Sequence, residues 1–487
     1  MTEELPTPAD RVSPTRLEQS FAAIAAIGAL PGGGCERLAF SKEERVAHAE
    51  FRRQAEAAGL TTWVDRIGNS FARLDPAPQN PPGAPGSPAT PAAGSLSAAG
   101  SPASVDRGPE PGSAAKGVSS KGAPSESAPI LTGSHLDTVA QGGCYDGAAG
   151  VLCSLEAVLA LAEAQAAGKL RLTRPVEVVA WANEEGARFA PAMMGSAVYA
   201  GMMSLQEALG CRDSEATTVA EALAARTGAV DGRGAAGGAG TSVVSGKQSG
   251  ARLPGPVPAA YLELHIEQGV ELQEAGVSVA VVEGVQAQIA GDWNIQGRSA
   301  HAGATPMHRR ADALLAAAEL IATAPRIAGR HAPGVATVGS LTVEPGSRNS
   351  VPGSTRGTVD LRHPEEHEVA AMAKEFVAAG EEAAGNQGAA FSFSELWRAP
   401  RVTFDPTLRE ALQTAAEAAG IPTMPLFSAA GHDAVHLARV APSAMLFVPS
   451  IGGVSHHPEE ETPMADLLAG ARVLAQALGT LAAKTAE

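Results

Sequence analysis

Apolar and polar positions alternate in two different rhythms along this chain. Early on, Ser13-Pro14 reads as an N-cap with Pro at the first helical position, and Leu17, Phe21 and Ile24 supply one apolar face. A second helix is expected from Lys42 to Ala58, then paired strands in "TTWVDRIGNSFARL". Further on, "PILTGSHLD" and "PVEVVAWANEE" are short unbroken apolar runs, separated by a helical pattern from about Ala148 to Ala166, and "AAYLELHIEQG" is another such run. Strands alternating with helices predict an α/β domain with a mixed, largely parallel sheet.

From about Gln286 the rhythm changes. A strand to Gly297, a helix from Met307 to about Ala324, the strands "GVATVGSLTV" and "STRGTVDLR", a helix from Pro364 to Ala383 and the strand "AAFSFSELW" follow in order. That is β-α-β-β-α-β, the ferredoxin-like succession. The α/β pattern then resumes, with a helix near Leu408–Ala419 and a strand at Ala444–Pro449. The simplest division is a larger domain in two parts, 1–285 and 400–487, with a small domain inserted at 286–399. Two stretches, 76–129 and 228–255, are rich in Pro, Ala, Gly and Ser; they hold too little apolar surface to offset ordering entropy and are expected to be disordered insertions.

Length changes this picture little: 487 residues with 45% hydrophobic content suit two cores. The formal charge of −16 argues against nucleic acid or an anionic membrane as partner. No uninterrupted apolar run of about 18 residues stands out, so no membrane span is expected, and the acidic start shows no signal peptide. The four cysteines form no Cys-x-x-Cys pair and read as reduced thiols of a cytoplasmic protein.

Chemistry gathers where strands end. "GSHLDTV" closes a run with His135 and Asp137, and "GGCYDG" places Asp146 in a glycine-bracketed turn ahead of a helix. "WANEEG" ends with Glu184 and Glu185, "LHIEQG" carries His265 and Gln268, and "SHHPEE" follows a strand with His456 and His457. Singly, each has a bland reading: a core histidine, a helix cap, a solvated helix start. Ligands in open α/β sheets cluster at the carboxyl ends of strands. Together, His, Asp and Glu at successive strand ends suit a pair of divalent ions, with zinc, manganese, cobalt and nickel equally compatible. Of the adjacent glutamates, one can ligate while the other acts as general base on a shared water. Asp137 could hold the His135 imidazole from behind.

These motifs, with "NEEGARFAPAMMGS", "SAHAGATPMHRRADA", "SRNSVPG" and "AAGHDA", resemble the hydantoinase/carbamoylase branch of the aminoacylase-type dinuclear metallohydrolases, which includes N-carbamoyl-L-amino-acid hydrolases and allantoate amidohydrolases. The resemblance runs in order from about Leu17 to the C-terminal region. It implies a catalytic domain holding two divalent metal ions and an inserted lid that also forms a homodimer. It implies His135, Asp146, Glu185, His265 and His456 as ligands, with Asp146 bridging and Glu184 as the base. His301 resembles a lid histidine that reaches the partner's site and stabilises an oxyanion. Gln268, Asn349 and Arg362 resemble substrate-binding residues, the last two near a carboxylate, which a guanidinium grips through two parallel hydrogen bonds. His432 and Asp433 match a motif that would support the ligands without binding metal. The implied reaction is hydrolysis of a linear ureido C–N bond, with an N-carbamoyl-L-amino acid as substrate and allantoate as the alternative. The Glu-Gln-Gly run and "AHAGATPM" favour this branch over an aminoacylase or dipeptidase. A non-catalytic binding protein would lack a ligand or the base, and every such position is filled.

Overall fold

A computed structural model describes residues 7–77, 127–225 and 257–483. The stretch 228–255, and 76–129 apart from its ends, lie outside the described residues. In chain order the strands are β1 (Thr61–Val64), β2 (Ser70–Leu74), β3 (Ile130–His135), β4 (Val176–Trp181), β5 (Ala260–Ile266) and β6 (Val279–Val285). Then come β7 (Ala287–Gln296), β8 (Ala300–His301), β9 (Val335–Glu344), β10 (Ser350–Val351), β11 (Ser354–His363) and β12 (Ala390–Ala399). Last are β13 (Val402–Thr403), β14 (Thr423–Ser428) and β15 (Ser443–Val448).

A mixed nine-stranded sheet runs β1-β2-β4-β3-β5-β15-β6-β13, with β14 also on β6. Its centre, β4-β3-β5-β15, is parallel throughout. Those four strands are buried along their whole length, because helices cover both faces; this is why they read as continuous apolar runs without alternation. The helix Ala148–Ala166 packs on one face with the helix Met464–Ala482. Its length and apolar composition would suffice to cross a membrane, yet 83% of its most apolar window is buried inside this fold. Ser13 caps the helix Pro14–Ala25 by accepting the Arg16 N–H at 3.3 Å, and Leu17, Phe21 and Ile24 are its buried face.

A second, four-stranded sheet, β12-β7-β11-β9, is antiparallel throughout. β7 and β11 alternate between buried and less buried positions. Trp293, Leu361, Leu320, Met372 and Phe376 form a separate core beneath the helices Ala313–Arg330 and Glu366–Asn386. The short pair β8–β10 stands beside it.

Two details differ from the pattern-based expectation. The helix expected from Met307 begins at Ala313. Asp312 Oδ1 accepts the N–H groups of Leu314 and Leu315 at 3.0 and 3.1 Å, so the cap sets the start, and Met307–Arg309 is a single 3-10 turn. The run pattern does not predict the strands β6, β13 and β14 or the short pair β8–β10. β14 contains Pro425, which an edge strand tolerates because it need not donate to a second neighbour.

Candidate metal centre

β3 and β5 are parallel neighbours, and Thr132 stands opposite Leu262. Carried forward, that register brings His135 level with His265, and their rings lie 5.8 Å apart. His135 Nδ1 is 3.0 Å from the Asp137 carbonyl oxygen, and His265 Nδ1 is 2.9 Å from that of Ile266. A carbonyl only accepts, so both Nδ1 atoms carry the proton and both Nε2 lone pairs are free for a cation.

Those lone pairs face Asp146. Its Oδ1 is 3.2 Å from His265 Nε2 and 3.9 Å from His135 Nε2. Its Oδ2 is 3.0 Å from His456 Nε2, which is also 3.5 Å from Glu185 Oε2. Two clusters result, His135–Asp146–His265 and Asp146–Glu185–His456; within each, the potential ligand atoms lie within 4.8 Å of one another, and Asp146 belongs to both. Asp146 precedes Gly147, the residue that starts the helix Ala148–Ala166. A Cβ on Gly147 would lie 2.4 Å from His135 Nε2, so only glycine lets this turn pass so close to the imidazole.

Glu184 and Glu185 lie in the loop after β4 and are not a solvated helix start. Asp137 Oδ1 accepts the Glu184 N–H at 3.1 Å and Oδ2 accepts the Glu185 N–H at 3.2 Å. Thus the Asp137 backbone carbonyl orients His135, while its carboxylate places both glutamates. Glu184 Oε2 lies 3.6 Å from His135 Nε2. His432 packs its ring 4.4 Å from that of His265 and bonds Ser428 Oγ at 2.9 Å. Asp433 is fully buried beyond it.

The electrostatics call for cations. Burial, then Asp433, Glu185, Asp137 and Asp146, hold the Glu184 carboxyl well above its usual range. Burial, with Asp146 adding, pushes Glu185 up to about 9. Burial opposes the charge on Asp146, but with no cation between them His265 and His456 donate to it as imidazolium Nε2–H groups and keep its carboxyl well below the usual range. The bond to Asp146 in turn lifts His456 to about 9. Glu185 Oε1 is buried with no hydrogen-bond partner among the described residues. Buried carboxylates this crowded are stable only when paired or bound to metal. Three imidazoles and two carboxylates are a donor set that fits divalent zinc, manganese, cobalt or nickel.

Gln268 also reaches the cluster, its Nε2 donating to Asp146 Oδ2 at 3.2 Å and to Ser455 Oγ at 3.1 Å. Beside it opens a cavity of about 520 Å³ lined by Gln268, His456, Arg362, Leu426, Phe427 and Phe447 among others. Arg362 sits at its edge, with Nε on Asp360 Oδ1 at 2.8 Å and Nη1 donating to the Ala429 carbonyl. His301 and Asn349 stand elsewhere, exposed together where β8 meets β10. Neither lines this cavity. His301 Nδ1 accepts the N–H groups of Gly303 and Ala304, both at 3.1 Å, so its neutral ring keeps the proton on an outward Nε2. Gln268 and His456 both have left-handed backbones, φ 58° and 55°, a strain that accumulates at functional sites.

Glu460, one of three consecutive glutamates, also belongs to the site. It is 6% exposed and accepts the Tyr145 and Asp146 N–H groups at 2.8 and 3.0 Å. The only sequence signal was its place in the turn that carries His456. Cys144, two residues before Asp146, lies against Cys35 and belongs to neither cluster.

Known proteins resemble this chain along most of its length. The family described as peptidase family M20/M25/M40 matches residues 131–480. An N-carbamoyl-L-amino acid amidohydrolase of Geobacillus stearothermophilus is 33% identical over 476 residues, 96% of this chain and 98% of that protein. An allantoate amidohydrolase of Bacillus subtilis is 31% identical, covering 94% and 95% of the two chains. The crystal structure of an amidase of the hydantoinase/carbamoylase family from Burkholderia multivorans superposes with a TM-score of 0.78 at 34% identity, covering 98% of this chain and 99% of that one. With ligand-type side chains at the strand ends and this likeness along nearly its whole length, the chain belongs to the peptidase family M20/M25/M40, in its hydantoinase/carbamoylase branch.

Proposed function

We propose that this protein is a metal-dependent amidohydrolase that cleaves a linear ureido C–N bond, converting an N-carbamoyl-L-amino acid to the amino acid, carbon dioxide and ammonia. One observation carries the reading: Asp146 turns one oxygen to His265 and the other to His456, with Glu184 beside the cluster. His135, Asp146 and His265 would hold one divalent ion and Asp146, Glu185 and His456 the other. Two such ions would supply the Lewis acidity that polarises the ureido carbonyl and lowers the pKa of a water.

The protein's own groups do the rest. Glu184 takes the proton of the attacking water and delivers it to the leaving nitrogen. The outward Nε2–H of His301 donates to the oxyanion. Arg362 and Asn349 hold the substrate carboxylate, and Gln268 borders the reacting group. His301 and Asn349 must then approach the cluster from the small sheet. We therefore assign residues 286–399 as a ferredoxin-like lid, through which two copies form a homodimer, set into a catalytic domain of 1–285 and 400–487.

Allantoate is the second reading, since the Bacillus subtilis relative carrying that name is nearly as similar and allantoate also joins a ureido group to a carboxylate. The test is ammonia release from N-carbamoyl-L-methionine and from allantoate, by chelator-treated protein with and without added manganese. Metal-dependent release, faster from the carbamoyl amino acid, is expected. Release only from allantoate reverses the order of substrates, and release from neither overturns the function.

A further inference from the structure

The ligands proposed for the second cation come from loops far apart in sequence, and hydrogen bonds close a ring behind them. Gln268 Nε2 donates to Asp146 Oδ2 at 3.2 Å and to Ser455 Oγ at 3.1 Å. Ser455 Oγ donates to Glu460 Oε2 at 3.0 Å. Glu460 Oε1 then accepts the N–H of Asp146 itself at 3.0 Å, and that of Tyr145 at 2.8 Å. Every direction is forced, because an ionised carboxylate only accepts. Asp146 is thereby gripped at its carboxylate and at its backbone, and His456 follows Ser455 directly in the chain.

We propose that Glu460 is a positioning residue that locks the His456 loop to the Asp146 loop and so sets the affinity of the second cation subsite, Asp146–Glu185–His456. This rests on the two-cation reading. Glu460 touches no potential ligand atom in either cluster, and no Lys or Arg pairs with it among the described residues. Its three donors account for its buried carboxylate, and a neutral amide replaces it only in part. Glutamine would offer one acceptor oxygen to the backbone but turn N–H groups towards the Ser455 hydroxyl, whose O–H then loses its acceptor. The fold makes room for the carboxylate at Gly143, where a Cβ would lie 2.0 Å from Glu460 Oε1. Gly143→Ala should therefore dislodge Glu460 while leaving every ligand and every charge in place.

The experiment titrates cobalt(II) into chelator-treated full-length protein, following heat and visible absorbance, for wild type, Glu460→Gln and Gly143→Ala. Wild type should bind two ions. In both variants one dissociation constant should rise by about tenfold or more, the range typical of lost support behind a ligand, while the other stays within about twofold and the melting temperature of the metal-free protein barely moves. A purely structural role would weaken both sites together and lower the melting temperature. Two ions bound with both constants unchanged, or shifted in parallel, overturn the proposal alone. A wild-type stoichiometry of one overturns the two-cation reading, and the proposal with it.

Discussion

The carboxyl end of the central strands and the exposed β8–β10 corner of the small sheet solve different problems. At the strand ends, the potential ligands are held by long-range register and by buried partners: His135 and His265 by adjacent strands, both glutamates by Asp137, Asp146 by Glu460. At the corner, His301 and Asn349 are exposed, and what holds them is the two-residue β8–β10 pairing and the turn 302–305. The first region is preorganised within one chain. The second presents a finished hydrogen-bond donor to whatever is brought to it. On the proposed function, the difference separates residues that build the centre from residues that would complete it.

Glu184→Gln should break the first region most sharply. It removes the proposed base without touching a proposed ligand, so kcat should fall by roughly 10²–10⁴ while metal content, read by elemental analysis, stays at the wild-type value. Retained turnover would remove Glu184 from its role. His301→Ala tests the second region: kcat should drop by about 10² with bound metal and melting temperature unchanged, since the side chain is exposed. Mixing subunits bearing Glu184→Gln with subunits bearing His301→Ala should then restore part of the activity, because one hybrid site regains both groups; no recovery would place His301 and Glu184 of one site in the same chain.

Arg362→Ala should act more mildly, raising KM by roughly tenfold or more through loss of a charge-assisted pair worth about 1.5–3 kcal/mol, with kcat less affected. A fall in kcat at unchanged KM would mean that Arg362 supports the fold through Asp360 and Ala429 without holding substrate.

The smallest effect concerns pH. In metal-free protein His456 is raised from 6.5 to about 9 by its bond to Asp146, and burial raises Asp137 from 3.8 to about 7 and Glu185 from 4.5 to about 9. Each folded value exceeds the unfolded one, so the folded state binds protons more tightly and stability is lost as pH climbs towards 9. His135 works in the opposite sense: burial lowers it to about 4, so its contribution is lost as pH falls from 6.5 towards 4. The metal-free melting temperature should thus decline by several degrees from about pH 6.5 towards pH 9, and added manganese should flatten that decline. A metal-free profile that rises to pH 9 would contradict the charge arrangement.

Much of this was legible because parallel strands put chemistry at their ends. The runs before His135, Glu184 and His265 are apolar enough to be read as strands, so the polar residues closing them stand out. What stayed hidden depends on distance. Glu460 is one of three consecutive glutamates, and nothing local distinguishes it from Glu459, which is exposed, or from Glu461. Its burial exists only because the loop before the helix Ala148–Ala166 folds onto it. His457 shows the converse: beside His456 it looks equivalent, yet its Nδ1 accepts the Glu459 N–H at 3.2 Å and it stays outside both clusters. β14 escaped notice because Pro425 argues against a strand except at an edge, and edges are set by topology.

The order of these residues along the chain has a consequence for synthesis. A ribosome delivers His135, Asp146, Glu185 and His265 before the small sheet and His456 after it. A nascent chain that has just finished that sheet already owns the trio His135–Asp146–His265 but holds only two members of the other. Because β15 must insert between β5 and β6 before the His456 turn can follow, the central sheet is still incomplete at that stage. On the two-cation reading, loading would then be sequential by birth order, and the second ion would report that the chain has closed on itself.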